Sequence, residues 1–522
     1  MSSAEDERTP TPGARYTDTA NGHRFVAMHG ENVRYVAEDK EWVVWNGSYW
    51  ERDLAGQAME LAKETALAIY DEVKEASRRG DEALARELTH WARRSLDVSR
   101  LRAMLVAASS DPVVVVSAQQ MDTDRWLLNC PNGTVDLQTG ELREARREDL
   151  NTKVAGVEYD PDTKCPQWET FVKWAMVDRD ELVKFVQRAL GMSLTGDASE
   201  RLIFFLHGGG KNGKSQLLKA FRLILRDYGI RVESNLLQAA KFGRAAGSAS
   251  PHIADLKGAR FMTTSEVEDG TKLATALLKD LTGDETLRGR HLYKDTFEFR
   301  PEFTPWISAN HKPTVPAGDQ AIWDRLRLVP FDARVDDAEK VLDFGKVLVD
   351  REGPGILAWA VRGCLAWQQD GMTEPEAVME ATADYRNEMD TFSDWLETLR
   401  DTPSIAPGDR SPSILRERYN RWQRDNVDDG EPLTQRPFKA QMETHGWKLT
   451  KNATGRYWEP PAHPVTRVDY AELARLDALR WASMTGVERK EAESEAEAER
   501  DRERRAIWEA EEAEARRLAS EA

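Results

Sequence analysis

A chain of 522 residues, 40% of them hydrophobic, is long enough for about two to four domains with real cores. Its three cysteines, Cys130, Cys165 and Cys364, stand far apart and form no CxxC pair, which argues against a zinc ribbon and against a disulfide scaffold. The formal charge of −18 weighs against a uniformly basic surface, but it is a global sum, and a ring can confine basic groups to a channel. No apolar run approaches the length of a membrane span, and Met1 to Tyr16 is polar with no signal-peptide core. A reduced, cytoplasmic protein that does not contact membranes is therefore expected.

Residues 1–20 are rich in Thr, Pro, Ser and Glu and read as disordered. Residues 21–158 read as an N-terminal domain. Its first part, VRYVAEDKEWVVWNGSYWERD, alternates aromatics around Asn46-Gly47, the signal of a β-hairpin. Trp42, Trp45, Tyr49 and Trp50 suit the packing of a small sheet better than the stacking of bases. Leu54 to Ser110 is helical and charged. WLLNCPNGTVDLQTGEL then carries two turn signals, Asn132-Gly133 and Thr139-Gly140, between short apolar strands.

Residues 159–200, opening with CPQWETFVKWA, read as a helical collar that feeds an α/β core over 201–335. Leu202 to Leu206 is an unbroken apolar run, as a strand buried on both faces requires. Gly208, Gly213, Lys214 and Ser215 follow in the pattern G-x-x-x-x-G-K-[ST]. Glycines there let consecutive N–H groups turn inward around an anion. Gly208, Gly209, Gly210, Lys211, Asn212 and Gly213 would then cradle phosphates. Lys214 would reach the outer phosphates, and the Ser215 hydroxyl would ligate Mg²⁺. Leu217, Leu218, Phe221, Ile224 and Leu225 recur at helical spacing until Gly229. Strand, loop, helix is the order a nucleotide site demands; the plainer alternative is a glycine-rich turn with a surface lysine.

Hydrolysis needs an acid as well. Arg260 to Thr264 reads as a second strand, and Glu266 at its tip is the candidate for activating water. Glu268 is a candidate second metal ligand, with a charged loop as the alternative. A third strand, Thr304 to Ala309, ends in Asn310, which could hydrogen-bond an attacking water or a γ-phosphate. A fourth, Leu326 to Phe331, is preceded by Arg325, badly placed for its own nucleotide but able to reach a neighbour's; Arg327 is the alternative. Between the second and third strands, LRGRHLYKDTFEF alternates like a hairpin with Tyr293 and Lys294 near its tip. Lys279 and Arg288 add to its positive charge, so this stretch is a candidate grip on a phosphate backbone, or else an ordinary basic hairpin.

Downstream, residues 336–400 read as a helical segment. Over 401–463, two helices and a short aromatic hairpin suggest a winged-helix-like domain, with Arg416, Arg418, Arg421 and Arg424 on one helix. Residues 464–522 read as a charged helical tail, supported by charges at i, i+3 and i+4.

Taken as a set, LLNCPNGTVDLQTGEL, CPQWETFV, FVQRALGMSLTGD, the phosphate loop, LKGARFMTTSEVEDG, LKDLTGDETLRGRHLY, FRPEFTPWISANHKP and AIWDRLRLVPF cover most of residues 30–335. This text resembles the superfamily 3 helicases of the phage/plasmid primase-helicase type, which include poxvirus and satellite-phage replication proteins. The resemblance implies an AAA+-like P-loop ATPase core that binds ATP and Mg²⁺. It makes Gly208 to Ser215 the Walker A motif, places Glu266 in Walker B, and makes Asn310 the sensor and Arg325 the arginine finger. Lys279, Arg288 and the Lys294 hairpin correspond to the family's DNA-binding element. It implies a hexameric ring that moves on single-stranded or forked DNA, usually 3′ to 5′, for a phage, prophage or plasmid in a bacterial host. A separate primase or a host replisome protein is an expected partner. Full-length members carry an upstream primase domain, whereas about 30 residues precede the aromatic hairpin here, so primer synthesis by this chain alone is not expected. An origin-binding initiator is the alternative function, and a P-loop small-molecule kinase a distant third.

Overall fold

The computed structural model describes residues 14–239, 251–400 (without 265, 269, 284–285, 291–295, 337 and 339) and 410–461 (without 428–431 and 453–454), with 470 and 475. Contacts divide the chain into two compact units. One holds Met1–Thr314 with Asp324–Pro375, and the other Val315–Trp323 with Glu376–Ala522.

The first unit opens with α1 (Asp18–His29), capped by the Thr17 hydroxyl, which accepts from the Ala20 N–H at 3.1 Å. Ordered structure therefore begins earlier than composition suggests. A single 3₁₀ turn, Ala14–Tyr16, already precedes the helix, and Tyr16 is pinned edge-on to Trp91 with rings 6.3 Å apart. Strands β1 (Val33–Val36), β2 (Glu41–Trp45) and β3 (Trp50–Arg52) form the expected meander around Asn46, whose side-chain oxygen accepts from the N–H groups of Ser48 and Tyr49. The hairpin aromatics pack rather than face solvent. Trp50 is 1% exposed and donates to the Arg147 carbonyl, and Trp45 lies against it at 5.6 Å. Helices α2 (Gln57–Arg78), α3 (Glu82–Ser95) and α4 (Val98–Ala108) follow, then β4 (Val115–Val116), which pairs in parallel with β1. A second small sheet comprises β5 (Leu127–Cys130), β6 (Gly133–Asp136) and β7 (Glu141–Arg143), its turns falling where Asn132-Gly133 and Thr139-Gly140 place them.

Helices α5 (Pro166–Ala175) and α6 (Asp180–Met192) lead into the core. The core runs β8 (Ile203–His207), α7 (Lys214–Leu225), β9 (Gly229–Val232), α8 (Pro251–Ala254), β10 (Phe261–Thr264), α9 (Thr275–Leu281), β11 (Leu287–Gly289), β12 (Phe297–Phe299) and β13 (Thr304–Ala309). After α10 (Gln320–Trp323), which belongs to the second unit, come β14 (Leu326–Pro330) and α11 (Phe344–Asp370). Five strands make one parallel sheet in the order β14-β8-β13-β10-β9. Its central strands are buried along their length, which is why they read as continuous apolar runs rather than alternating ones. Gly229, expected only to stop a helix, instead starts β9, a fifth strand at the sheet edge. Four residues, GIRV, of which only Val232 is buried, give too short a pattern to register as a strand.

Arg260, just before β10, is buried. Its guanidinium donates to the carbonyls of Leu194 and Leu127, each at 2.9 Å, and lies over the Tyr228 ring. Buried charge of this kind is tolerable only when fully hydrogen-bonded, and here it ties the second small sheet to the start of β10.

In the second unit, α12 (Glu376–Glu388), α13 (Thr391–Arg400), α14 (Pro412–Asn426) and α15 (Gln435–Thr444) precede an antiparallel hairpin of β15 (Lys448–Asn452) and β16 (Gly455–Glu459). Phe392, Trp395, Tyr419, Phe438, Met442 and Trp458 make its core. Inside, the Ser393 hydroxyl donates to Asp390 at 2.7 Å and lies 3.0 Å from His445 Nε2. The Val315–Trp323 excursion belongs to this unit. The Arg386 guanidinium donates to the Ala317 carbonyl and to Gln320 and lies over the Trp323 ring at 5.8 Å. All but Tyr470 and Arg475 of the expected charged tail falls outside the described residues.

Candidate active site

The loop between β8 and α7 closes around its own lysine. Gly213, at φ +88°, is the N-cap of α7, and a Cβ there would meet the Phe171 ring at 2.9 Å. A Cβ on Gly208 would fall 2.2 Å from the Phe331 carbonyl. Both positions therefore exclude any larger residue, one by conformation and contact, the other by contact alone. Asn212 locks the loop from below, its side-chain amide donating to that same Phe331 carbonyl at 3.0 Å. The Val335 N–H adds a second tie, to the Lys211 carbonyl at 2.9 Å.

Lys214 is 3% exposed. Its ammonium donates to the Gly208 carbonyl at 2.7 Å, to Asn212 Oδ1 at 3.0 Å and to Asn310 Oδ1 at 3.1 Å. Strand order explains the last contact. Because β13 lies between β8 and β10, the residue at its tip, Asn310, stands between the loop lysine and Glu266 at the tip of β10. The Asn310 amide donates to Glu266 Oε1, completing a line Lys214–Asn310–Glu266. Burial pushes the Lys214 ammonium down to about 8 from 10.5, with the Glu266 carboxylate opposing the shift.

That depression gives a pH test. Triphosphate charge in the loop would restore the protonated lysine, so binding takes up a proton wherever the free lysine has lost one. Affinity for a nucleoside triphosphate is therefore expected to hold below about pH 8 and to fall above it. Proton uptake, read by calorimetry in buffers of different ionisation enthalpy, should grow between about pH 7 and pH 9. Proton release on binding would contradict this assignment.

Gly210, Lys211, Asn212, Gly213, Lys214, Ser215, Glu266, Ser308 and Asn310 line one cavity of about 800 Å³. Nine of its walls thus come from the loop and the two neighbouring strand tips. Gly208 contributes its carbonyl to Lys214, while Gly209 and Glu268 are not among the lining residues; Glu268 is exposed on the loop after β10. Among the described residues no group of three or more His, Cys, Asp and Glu converges. One hydroxyl and one carboxylate beside a phosphate loop fit Mg²⁺, which is held largely by waters and substrate phosphates, better than they fit a metal needing a protein cage.

Much of the remaining cavity wall is apolar and was not legible as site: Pro166, Phe171 and Trp174 of α5, Val335, Val341, and Phe344 at the start of α11, with Gln167, Thr170, Gln216 and Lys340 as its polar members. The aromatic spacing of CPQWETFVKWA reads only as one face of a helix, and nothing local says that the face meets the loop. The tertiary structure sets it there through Glu352 of α11. This carboxylate, 8% exposed, accepts from the N–H groups of Gln167 and Trp168 at 3.0 and 2.9 Å, satisfying the first turn of α5.

Arg325 lies at the opposite end of the sheet from the loop. Its carbonyl accepts from the Ile203 N–H at 2.7 Å, at the start of β8. About 13 Å of strand separates that point from His207. Arg327 is engaged within its own chain, pairing with Glu374 and donating to the Asp324 carbonyl at 2.8 Å. Lys279 sits on α9. Arg288, on β11, faces Glu298 across the β11–β12 ladder and pairs with it at 2.8 Å. Tyr293 and Lys294, at the expected tip of that hairpin, lie outside the described residues.

Residues 22–177 match the family model described as D5 N terminal like. The chain is 26% identical over 298 residues to L207/L206 of Acanthamoeba polyphaga mimivirus, a protein carrying a helicase name, covering 53% of this chain and 31% of that protein. It is 30% identical over 258 residues to the helicase-named 022R of Frog virus 3, covering 46% of this chain and 26% of that protein. The chain thus spans less than a third of the length of these relatives. Among solved structures, the C-terminal region of NrS-1 aligns at 9% identity with a TM-score of 0.46, over 85% of this chain and 99% of that one. No helix among the described residues is long and apolar enough to cross a membrane.

Proposed function

We propose that the chain is a member of the D5-type primase-helicase family and an ATP-dependent DNA helicase of the superfamily 3 type, working as a hexameric ring in the replication of a viral, phage or plasmid genome; the match of residues 22–177 to the D5 N terminal like model and the similarity to helicase-named viral proteins support this reading. The observation that carries the reading is the line Lys214–Asn310–Glu266, from the start of α7 across two strand tips, beside the glycine-rich loop. In it, Lys214 and the loop amides hold the outer phosphates, as a positioned electrostatic clamp on transferring phosphoryl groups requires. Glu266 takes the proton of the attacking water, and Asn310 orients that water or the γ-phosphate. Ser215 and Glu266 would hold Mg²⁺, which when bound neutralises charge on the phosphates. Glu268, outside the cavity wall, is the further residue that would help to hold Mg²⁺.

Arg325 completes a neighbour's site in this reading. Its place at the far end of β14 from its own loop supports action in trans. Helices α5 and α6 serve as the collar and the five-stranded core as the AAA+-like motor. Tyr293 and Lys294, flanked by Lys279 and Arg288, contact the backbone of single-stranded DNA in the channel. Replacing Lys294 with Ala is expected to reduce unwinding of a forked duplex, per ATP hydrolysed, at least tenfold, in line with the loss of one phosphate grip per subunit. A strand-displacement assay run beside phosphate release reads this directly, and an unchanged ratio would remove the hairpin from the DNA path.

A second reading, origin recognition, is favoured by one observation. In the second unit the last three helices, α13, α14 and α15, lead into a hairpin, the order of a winged helix, with Arg421 and Arg424 exposed on α14 and Arg436 and Lys439 exposed on α15. Footprinting on the replicon's own DNA separates the readings: a bounded footprint supports an initiator, uniform protection a translocating ring.

A further inference from the structure

The cavity wall joins two chemistries: loop amides, Lys214 and Asn310, and beside them apolar rings. A nucleoside triphosphate joins the same two, phosphates and a planar base. Among the rings, Phe171 is buried, stacked on Trp174 with centroids 6.2 Å apart at 27°, and meets Phe344 edge-on at 5.5 Å. Phe171 and the edge of Trp174 both back the Gly213 position of the loop, 2.9 and 3.2 Å from where a Cβ would stand, which sets the ring pair next to the phosphate loop. Phe171, packed between two other rings, serves as the support. Trp174, one face on Phe171, is half-buried and borders the cavity, the ring best placed to receive a flat ligand.

We propose that Trp174 is the base-stacking platform of the nucleotide site, holding a heteroaromatic base against the α5 ring pair while the loop holds the phosphates; this rests on the loop being a triphosphate site. The polar side chains on this wall are Lys340, which is exposed, Thr170, Gln167, and Gln216, whose Oε1 accepts from the Gly345 N–H at 2.8 Å. The Thr170 hydroxyl already donates to the Pro166 carbonyl at 2.7 Å, and Gln167 Oε1 accepts from Arg351 at 3.3 Å. Stacking area, rather than hydrogen-bond reading, holds the base, and a purine offers more of it than a pyrimidine. Glu352 acts here as a positioning residue, since it anchors the first turn of α5.

The test compares binding of Mg²⁺-ATP and Mg²⁺-tripolyphosphate to the full chain and to Trp174→Ala and Trp174→Phe, by calorimetry. Trp174→Ala is expected to weaken ATP about ten- to a hundredfold, the range of one base–aromatic stack, and to leave tripolyphosphate within about twofold. Trp174→Phe, which keeps a ring, should recover most of the ATP affinity. Unchanged ATP affinity in Trp174→Ala, or equal weakening of both ligands, overturns the platform while leaving the phosphate loop standing. Failure of the unaltered chain to bind either ligand overturns the nucleotide site and the platform with it.

Discussion

Lys214→Ala is expected to abolish ATP hydrolysis, with a loss of at least about 10²–10³ in turnover, the scale seen when one preorganised charge contact to a transition state is removed. The residue does two things in this fold. It is the cation buried in the loop, and it is the shared donor for three acceptors, Gly208 O, Asn212 Oδ1 and Asn310 Oδ1. Truncation therefore also leaves acceptors unpaired, each costing roughly 1–3 kcal/mol where water cannot reach. The two effects separate by measurement. Thermal unfolding without nucleotide reads the structural part, and binding of tripolyphosphate reads the electrostatic part. A variant that folds as the parent does and still hydrolyses ATP at a tenth of the parental rate would show that the lysine is not the phosphate clamp.

Arg325→Ala is expected to lose about 10³–10⁵ in hydrolysis, the measured range for an arginine finger, while ATP still binds in the cavity. The reason is topological. Parallel pairing of β14 with β8 puts Leu326 beside Ile203 and Pro330 beside His207, so the residue before Leu326 stands a strand's length from its own loop. Complementation makes the test specific. Lys214→Ala subunits carry an intact Arg325, and Arg325→Ala subunits carry an intact loop, so a mixture of two inactive proteins should regain part of the activity. A mixture that stays inactive under conditions where the subunits associate would count against a shared site. Arg327→Ala serves as the contrast: it strands Glu374, and a lowered melting temperature with hydrolysis largely kept is its expected signature.

Local pattern alone located much of this. The apolar runs of β8, β10, β13 and β14, the helix after Lys214 and the turn at Asn46-Gly47 all lie where their residues place them. Each rests on neighbours in sequence: a buried strand needs an unbroken apolar run, a helix a 3.6-residue period, a tight loop its glycines. Identities at strand tips, Glu266 and Asn310, were legible for the same reason. Their alignment was not. That Asn310 bridges Lys214 to Glu266 depends on β13 sitting between β8 and β10, and no local stretch encodes the order of strands in a parallel sheet, because each crossover leaves that order open. The strand begun by Gly229 and the apolar cavity wall from Phe171, Trp174 and Phe344 are non-local in the same sense. By itself the sequence determined a glycine-rich loop between a buried strand and a helix, and an acid and an amide at the tips of two further strands; only the tertiary structure decided what faces the loop, since burial and proximity come from segments far apart in the chain, as with Glu352 holding the first turn of α5.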